Sequence, residues 1–183
     1  MSLRKITLGV VAALASLVML TGQAGAAVPH MVRVTSAAQI AQIGVPYYFV
    51  NSATNRCLAV QGANNVNGAP AFQYDCLNSA DQGWHNGTSY PWAPLTNTQT
   101  GRCLAFQGSN HGNGAPAFQY DCLNSADQNW DWMDNGNNTF TLVNQATGKC
   151  LAVQGANNVN GAPAFQYDCL GSADQAWYVY YIS

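Results

Sequence analysis

Short apolar runs alternate with turns rich in asparagine and glycine along most of the chain, and no stretch after residue 45 has a helical period. In the first such unit the pattern predicts four strands, at 48–51, 57–61, 71–76 and around Gln82 and Trp84. Pro70 precedes the third strand, at an edge where a missing N–H is tolerated. Before residue 45, only 36–43 could form a helical turn or two, with Ser36 as its N-cap. The pattern therefore predicts an all-β fold.

The four-strand unit occurs three times along the chain. Residues 57–77 recur letter for letter at 150–170, and the middle copy, 103–123, differs at four positions. Each copy is followed by Gln-x-Trp, and period-two spacing predicts that this Gln and Trp share one strand face. The Trp is expected to fill the core and the Gln side chain to bind backbone groups. Three units of four strands predict a closed β-trefoil barrel with pseudo-threefold symmetry. A propeller is the competing repeat architecture, but it typically needs at least four blades.

The N-terminal residues have the pattern of an export signal. Two basic residues, Arg4 and Lys5, precede an apolar run at 6–20. Small residues at 24–26 favour cleavage before Ala27, with cleavage one residue later as the alternative. The apolar run is too short for a membrane span, which needs about 20 residues, so we expect a secreted, extracellular protein without one. The expected organisation is a signal peptide at 1–26, an N-terminal extension at 27–45 and a trefoil domain at 46–183, with repeats at about 46–91, 92–138 and 139–183.

Charge is scarce, since charged residues make up 8% of the chain. Without the signal peptide, four basic residues stand against eight aspartates, which gives a net charge of −4. A lysine-poor, acidic surface argues against nucleic acid, whose phosphates are bound by clustered Lys and Arg. A hydrophobic content of 48% with 11% aromatic residues argues against intrinsic disorder.

Six cysteines in an exported chain predict disulfide bonds, and six cysteines allow fifteen connectivities. The two cysteines of each repeat are always 19 residues apart, so the symmetry selects one connectivity. The predicted pairs are Cys57–Cys76, Cys103–Cys122 and Cys150–Cys169. A zinc site is disfavoured because there is no C-x-x-C pair and the histidines share no motif position; we expect no metal and no cofactor.

Catalytic motifs are absent from the sequence, which has no G-x-S-x-G, no H-E-x-x-H and no phosphate-binding loop. Asp131 and Asp134 could be read as the paired carboxylates of a glycosidase. They lie in a connection rich in Asn and Gly, for which a solvated loop is the preferred interpretation. Threefold repetition favours a binding protein over an enzyme, because enzymes concentrate their chemistry at one site.

Three copies of Cys-Leu-x-x-x-Gly, of Asn-Gly-x-Pro-x-x-Gln-Tyr-Asp-Cys and of Gln-x-Trp together resemble the ricin B-chain type lectin domain, as found in secreted bacterial proteins. The resemblance covers about 46–183. It implies a β-trefoil that binds sugars, commonly galactose-type or xylan-type glycans, at one shallow pocket per repeat. The expected partner is therefore a glycan or polysaccharide.

The resemblance also implies site residues. The family's sugar-stacking aromatic precedes the second cysteine by two residues, and here it is Tyr74, Tyr120 and Tyr167. The family's acceptor aspartate follows the first cysteine by two residues, and here it is replaced by Ala59, Ala105 and Ala152. A family amide in the third strand is replaced by Phe72, Phe118 and Phe165. A carboxylate precedes Gln-x-Trp, where the family often has asparagine, at Asp81, Asp127 and Asp174. We predict that these aspartates are relocated hydroxyl acceptors; the alternative is that they only cap a turn.

Two functions from different classes follow from this pattern. The first is a carbohydrate-binding protein with up to three weak, equivalent sugar sites. The alternative is a β-trefoil module that binds another protein, for example a toxin-associated one, and has lost its sugar sites. Near-identity of the three copies around the predicted pocket favours the first, because a protein-binding trefoil uses one asymmetric face and lets its copies diverge.

Overall fold

The computed structural model describes residues 30–41, 44–61, 64–88, 91–108, 110–154 and 157–182. The predicted signal peptide and both candidate cleavage sites lie outside these residues. The predicted helical turn is a 3₁₀ helix, Ala37–Ala41, and the end of the predicted range, 42–43, lies outside the described residues.

The predicted four strands per repeat are confirmed. The first repeat contains β2 Tyr47–Asn51, β3 Cys57–Val60, β4 Ala71–Tyr74 and β5 Trp84–Asn86. The second contains β6 Ala93–Asn97, β7 Cys103–Ala105, β8 Phe118–Tyr120 and β9 Asn129–Asp134. The third contains β10 Phe140–Asn144, β11 Cys150–Val153, β12 Ala164–Tyr167 and β13 Trp177–Ile182. One further strand, β1 Met31–Val34, precedes them.

The first and fourth strands of the repeats form a closed, antiparallel barrel of six strands. Around the barrel, β2 pairs with β5, β5 with β6, β6 with β9, β9 with β10, β10 with β13, and β13 with β2. The second and third strands form three hairpins, β3–β4, β7–β8 and β11–β12. Bridges between neighbouring hairpins, such as Pro70 with Phe118, bring the three together around the pseudo-threefold axis. The fold is a β-trefoil.

Three tryptophans, one per repeat, are fully buried in the core. Trp84, Trp130 and Trp177 each donate from Nε1 to the main-chain oxygen of a second-strand leucine, at 3.2, 3.0 and 3.1 Å. The prediction that the Gln of Gln-x-Trp shares a strand face with the Trp is wrong. Gln82 ends a 3₁₀ helix, Ala80–Gln82, before β5 begins. This turn lets the Gln82 amide receive a hydrogen bond from Leu77 N at 2.8 Å and donate one to Asp75 O at 2.6 Å.

All three predicted disulfide bonds are confirmed, each within one repeat. Each bond joins the first residue of a second strand to the cysteine that lies two residues after the end of the third strand. The Cα–Cα distance is 5.1 Å in all three cases. The bonds therefore fix the outer hairpins, which carry the predicted sugar site.

Two regions break the threefold symmetry. The segment predicted as an N-terminal extension supplies β1, which pairs with β13, and buries Val34 and Ile40. The second region is β9. The prediction of a solvated loop at Asp131 and Asp134 is wrong, because both residues belong to this strand and pair with β10. Residues three apart on a strand point to opposite faces, so these carboxylates cannot act as a pair.

Candidate functional site

Each outer hairpin has one face toward the core and one toward solvent. In the first repeat, Tyr74 lies opposite Cys57 and Phe72 opposite Ala59, and residues directly opposite each other share a face. This is the outer face. The alternating positions, such as Leu58, belong to the hydrophobic core. The register is the same in the other two hairpins.

The three predicted stacking tyrosines are exposed at the ends of the third strands. Tyr74, Tyr120 and Tyr167 are 39%, 38% and 38% exposed. Each ring packs edge-on against the phenylalanine two residues earlier, with 6.3 Å between ring centroids in every repeat. This contact orients each tyrosine, while much of its surface remains open to a ligand.

The alanines that replace the family's acceptor aspartate are fully buried. Ala59, Ala105 and Ala152 have no exposed surface. Each lies opposite a half-buried phenylalanine, as Ala59 lies opposite Phe72. Two positions that are polar in the family are therefore apolar here, and the pair packs as part of the hairpin.

A cleft of about 340 Å³ opens beside Tyr120, between the first and second repeats. Its walls include Gly68 and Pro70 of the first repeat, and Gln107, Pro116, Phe118 and Tyr120 of the second. Backbone hydrogen bonds hold the two walls together, from Gly68 N to Gln119 O at 2.8 Å and from Ala71 N to Ala117 O at 3.0 Å. Sequence reasoning identified the tyrosine but missed the wall from the neighbouring repeat. The only sequence signal for that wall is that its Gly-Ala-Pro recurs in every copy.

The three aspartates before Gln-x-Trp lie in 3₁₀ helices and are half-buried. Their main-chain oxygens accept hydrogen bonds from the asparagine that ends a neighbouring first strand, as Asp127 O does from Asn144 Nδ2 at 2.8 Å. Across the described ranges, none of their carboxylates accepts a hydrogen bond, and none caps its helix. Asp127 packs against Gly108, next to Gln107. It therefore lies beside the cleft and is not one of its lining residues.

A second set of aspartates, which sequence reasoning missed, directly follows the exposed tyrosines. In the first repeat, Arg56 forms an ion pair with Asp75. Arg56 Nε also donates to Asn158 Oδ1 at 2.7 Å, and Asn160 Nδ2 donates to Asp75 Oδ2 at 2.7 Å. The hydrogen bond from Asn160, followed by the charge of Arg56, lowers the pKa of Asp75 below its ordinary value. Because both asparagines belong to the third repeat, this junction network ties the residue after Tyr74 to a neighbouring repeat.

The network of ion pair and asparagine hydrogen bonds recurs at the second junction, and the third junction has a variant of it. Arg102 and Asp121 interact with the turn of the first repeat, where Arg102 Nε donates to Asn65 Oδ1 at 2.7 Å. At the third junction, Lys149 replaces the arginine and pairs with Asp168 at 2.6 Å. The signal in the sequence was the unbroken Tyr-Asp-Cys in every copy.

Within the ranges given above, no three His, Cys, Asp or Glu side chains lie close enough together to hold a metal ion. The same residues contain no helix with the length and apolar character needed to cross a membrane.

The family model of the ricin-type beta-trefoil lectin domain matches residues 45–177. Curated protein sequences give no match. Among solved structures, the designed threefold-symmetric protein ThreeFoil is similar, at 27% identity and a TM-score of 0.69, over 73% of this chain and 96% of that protein.

Two natural structures share the fold at lower identity. An exo-beta-1,3-galactanase from Clostridium thermocellum is 22% identical with a TM-score of 0.70, over 74% of this chain and 30% of the galactanase. The ricin B-like lectin of Macrolepiota procera, solved in complex with lactose, is 17% identical with a TM-score of 0.62, over 75% of this chain and 96% of the lectin. The chain thus corresponds to nearly all of the lectin but to less than a third of the galactanase.

Proposed function

The chain belongs to the ricin-type β-trefoil lectin family, and from this premise we propose that it is a secreted carbohydrate-binding protein with up to three weak, similar sugar sites. Membership of a lectin family supports carbohydrate binding in general. The single observation that carries the finer proposal is the set of exposed tyrosines, one in each repeat and all oriented by the same phenylalanine contact.

Each tyrosine serves as a stacking platform. The C–H face of a pyranose is apolar and packs on an aromatic ring, while its hydroxyls need amides or carboxylates at the edge. Tyr74, Tyr120 and Tyr167 supply the rings. Three weak sites on one rigid fold would raise avidity for a repeating polysaccharide without any single strong contact.

The aspartates before Gln-x-Trp serve as relocated hydroxyl acceptors. Asp81, Asp127 and Asp174 have carboxylates without hydrogen-bond partners in the described part of the chain, which supports this role over turn capping. A hydrogen bond to a charged group contributes roughly 1.5–3 kcal/mol, so one carboxylate can sustain weak binding. Galactose-type or xylan-type glycans are the first to test, because the Macrolepiota procera lectin was solved with lactose.

Secretion is part of the proposal. The signal-like N-terminus supports it, and so do three disulfide bonds, which persist in oxidising compartments. Asp131 and Asp134 lie on opposite faces of β9, and we propose that the protein binds glycans without cleaving them.

The test is a glycan array on the secreted protein, followed by variants on the best ligand. Replacing the three tyrosines with alanine should abolish retention, whereas Tyr74→Phe, Tyr120→Phe and Tyr167→Phe combined should retain most of it, because the ring remains. Asp81→Asn, Asp127→Asn and Asp174→Asn combined should weaken retention without lowering thermal stability. Titration calorimetry with a monovalent sugar should give a stoichiometry near three. One strong site, or retention by the alanine variant, would contradict the proposal.

A second candidate, a protein-binding trefoil, is favoured by one observation. The leucine after the second cysteine is exposed in all three repeats, by 63%, 62% and 67%. These leucines are Leu77, Leu123 and Leu170. If the protein binds no glycan but captures one protein partner, and leucine-to-serine variants lose that partner, this second function replaces the first.

A further inference from the structure

The walls of the cleft beside Tyr120 consist of residue types that recur at the other two junctions. The second junction has the matching Gly114, Pro116, Gln154 and Tyr167. The third has Gly161, Pro163, Gln61 and Tyr74. Of the positions at which the middle repeat differs from its neighbours, the three that the structure describes, Phe106, His111 and Gly112, are not among the residues that line the cleft.

The backbone repeats the same arrangement. The glycine of one repeat donates from its N–H to the main-chain oxygen of the glutamine before the next repeat's tyrosine, at 2.8 Å at all three junctions. The prolines then bridge to the third strands of the following repeats, at Pro70–Phe118, Pro116–Phe165 and Pro163–Phe72. Tyr120 faces a wall supplied by the preceding repeat, and because the backbone contacts recur, we expect the same wall beside Tyr167 and Tyr74.

The chemistry of these walls is uncharged and mostly apolar. At the first junction, the side chains with hydrogen-bonding groups are Gln107 and Tyr120, and the rest are glycine, proline, alanine and phenylalanine. The family's acceptor position, Ala105, is buried and apolar. A ligand hydroxyl or carboxylate that packs against the glycine, proline and phenylalanine of the cleft, away from Gln107 and Tyr120, loses water without gaining a partner, which is unfavourable.

The size of the cleft limits the ligand further. A volume of about 340 Å³ lies at the lower end of the range for small-molecule pockets. It has room for one sugar ring with a small substituent. The part of the sugar that faces proline and phenylalanine must then be the part with fewest hydroxyls.

We propose that each cleft between neighbouring repeats binds an uncharged sugar that carries a methyl group, such as a 6-deoxyhexose, with its ring on the tyrosine and its methyl group against the proline of the preceding repeat. This inference rests on the proposed carbohydrate binding and specifies its substrate class. The glutamine amide and the tyrosine hydroxyl hold the remaining ring hydroxyls at the mouth of the cleft.

The first test compares sugars that differ at one carbon. Methyl glycosides of 6-deoxy-D-galactose, D-galactose and D-galacturonic acid share their ring stereochemistry. They differ only in the group attached to C5, which is CH₃, CH₂OH and COO⁻, respectively. The corresponding glucose series is tested alongside them. Calorimetry on the secreted protein should show the 6-deoxy sugar bound about tenfold more tightly than the hexose, because one group in an apolar pocket has an effect of this size. The uronic acid should bind least.

Proline variants then test whether the wall from the preceding repeat causes the preference for the methyl-bearing sugar. Pro70→Ala, Pro116→Ala and Pro163→Ala combined remove the apolar rings. The backbone hydrogen bonds that flank each bridge are made by the neighbouring residues, as from Gln119 N to Ala69 O and from Ala71 N to Ala117 O, so the substitutions leave them in place. The methyl preference should disappear in this variant. It should remain in Pro91→Ala, which changes an exposed proline outside the clefts, and in the combined Asp81, Asp127 and Asp174 to Asn variant.

The outcomes separate the two proposals. Equal binding of all three sugars in a series, or tightest binding of the uronic acid, would overturn the methyl-bearing ligand while leaving carbohydrate binding in place. If the preference for the methyl-bearing sugar survives replacement of the prolines, the proposed contact between the methyl group and the preceding repeat is wrong. Binding of no sugar by the wild-type protein, on the array or in calorimetry, would overturn both this inference and the proposed function.

Discussion

The buried and the exposed aromatic residues of the three repeats recur with equal fidelity but lie in opposite environments. Trp84, Trp130 and Trp177 are fully buried and hydrogen-bonded to a neighbouring strand. The tyrosines of the outer hairpins are more than a third exposed. Sequence repetition alone therefore cannot separate residues that hold the fold from residues that contact a ligand. Burial separates them, and the two sets should respond differently to mutation.

The largest expected effect comes from a core tryptophan. Trp130→Ala removes a ring that packs edge-on against Phe106 at 4.9 Å and donates to Leu104 O. Deletions of this kind lower the free energy of unfolding by about 3–5 kcal/mol. Tyr120→Ala at an exposed position should lower it by less than about 1 kcal/mol. Urea unfolding with the disulfides intact measures both values.

The contrast between buried and exposed aromatic residues fails if Trp130→Ala and Tyr120→Ala lower the free energy of unfolding by similar amounts. Trp130→Phe is the matched control, because it keeps most of the apolar volume and loses the N–H donor. It should fall between the wild type and Trp130→Ala. If Tyr120→Ala unfolds as readily as Trp130→Ala, the outer tyrosines belong to the framework and the proposed platform is wrong.

The framework was the part that could be predicted from sequence. The disulfides could be predicted from the constant cysteine spacing, and the buried tryptophans from the fixed place of Gln-x-Trp. Both patterns lie within one repeat. Asp131 and Asp134 were misassigned because asparagine and glycine around them are typical of turns, whereas pairing with β10 extends β9 through both residues. Tertiary pairing overrode the local preference there.

The cleft wall could not be predicted for a different reason. Gly68 and Pro70 are ordinary turn residues within their own repeat, and only the docking of neighbouring hairpins places them across from Tyr120. The junction aspartates were missed for the same reason, since their asparagine partners are more than 50 residues away in sequence. Relationships between repeats depend on the closed barrel, which local spacing does not encode.

A smaller effect is expected at the junctions, where the outer hairpins meet. The pKa values of Asp75, Asp121 and Asp168 are lowered in the folded protein, chiefly by hydrogen bonds from Asn160, Asn67 and Lys149, respectively. A carboxyl whose folded pKa is depressed adds stability above its unfolded pKa of about 4, and this stability is lost as the pH falls through the folded pKa values. The thermal midpoint should therefore fall as the pH is lowered from about 5 to 2.

Replacing these three aspartates with asparagine should flatten that acid response. The matched control is Asp134→Asn, an exposed aspartate outside the networks, which should leave the response unchanged. The measurement is the thermal midpoint at each pH in low salt. An unchanged acid response in the triple variant would show that the ion pairs and asparagine hydrogen bonds of these carboxylates do not stabilise the junctions.

The smallest expected effect concerns the third junction, where two residues differ from those at the equivalent positions of the other junctions. Arg56 and Arg102 each donate from Nε to an asparagine of the adjoining turn, Asn158 and Asn65, at 2.7 Å. At the third junction the cation is Lys149, and the turn position equivalent to Asn65 is His111. A planar guanidinium can bridge an amide and a carboxylate together, whereas an ammonium is a single point charge.

The two substitutions should therefore be coupled. Lys149→Arg alone lacks its amide partner and should shift the thermal midpoint by less than about 1 °C, since surface changes are small. With His111→Asn added, the guanidinium regains both partners, and the midpoint should rise by about 2 °C, because a degree or two is the scale of a sub-kcal change in a domain of this size. A double-mutant cycle measures the coupling directly. If the effects of the two substitutions on the thermal midpoint are simply additive, the guanidinium gains nothing from binding the amide and the carboxylate together, and the expected coupling is wrong.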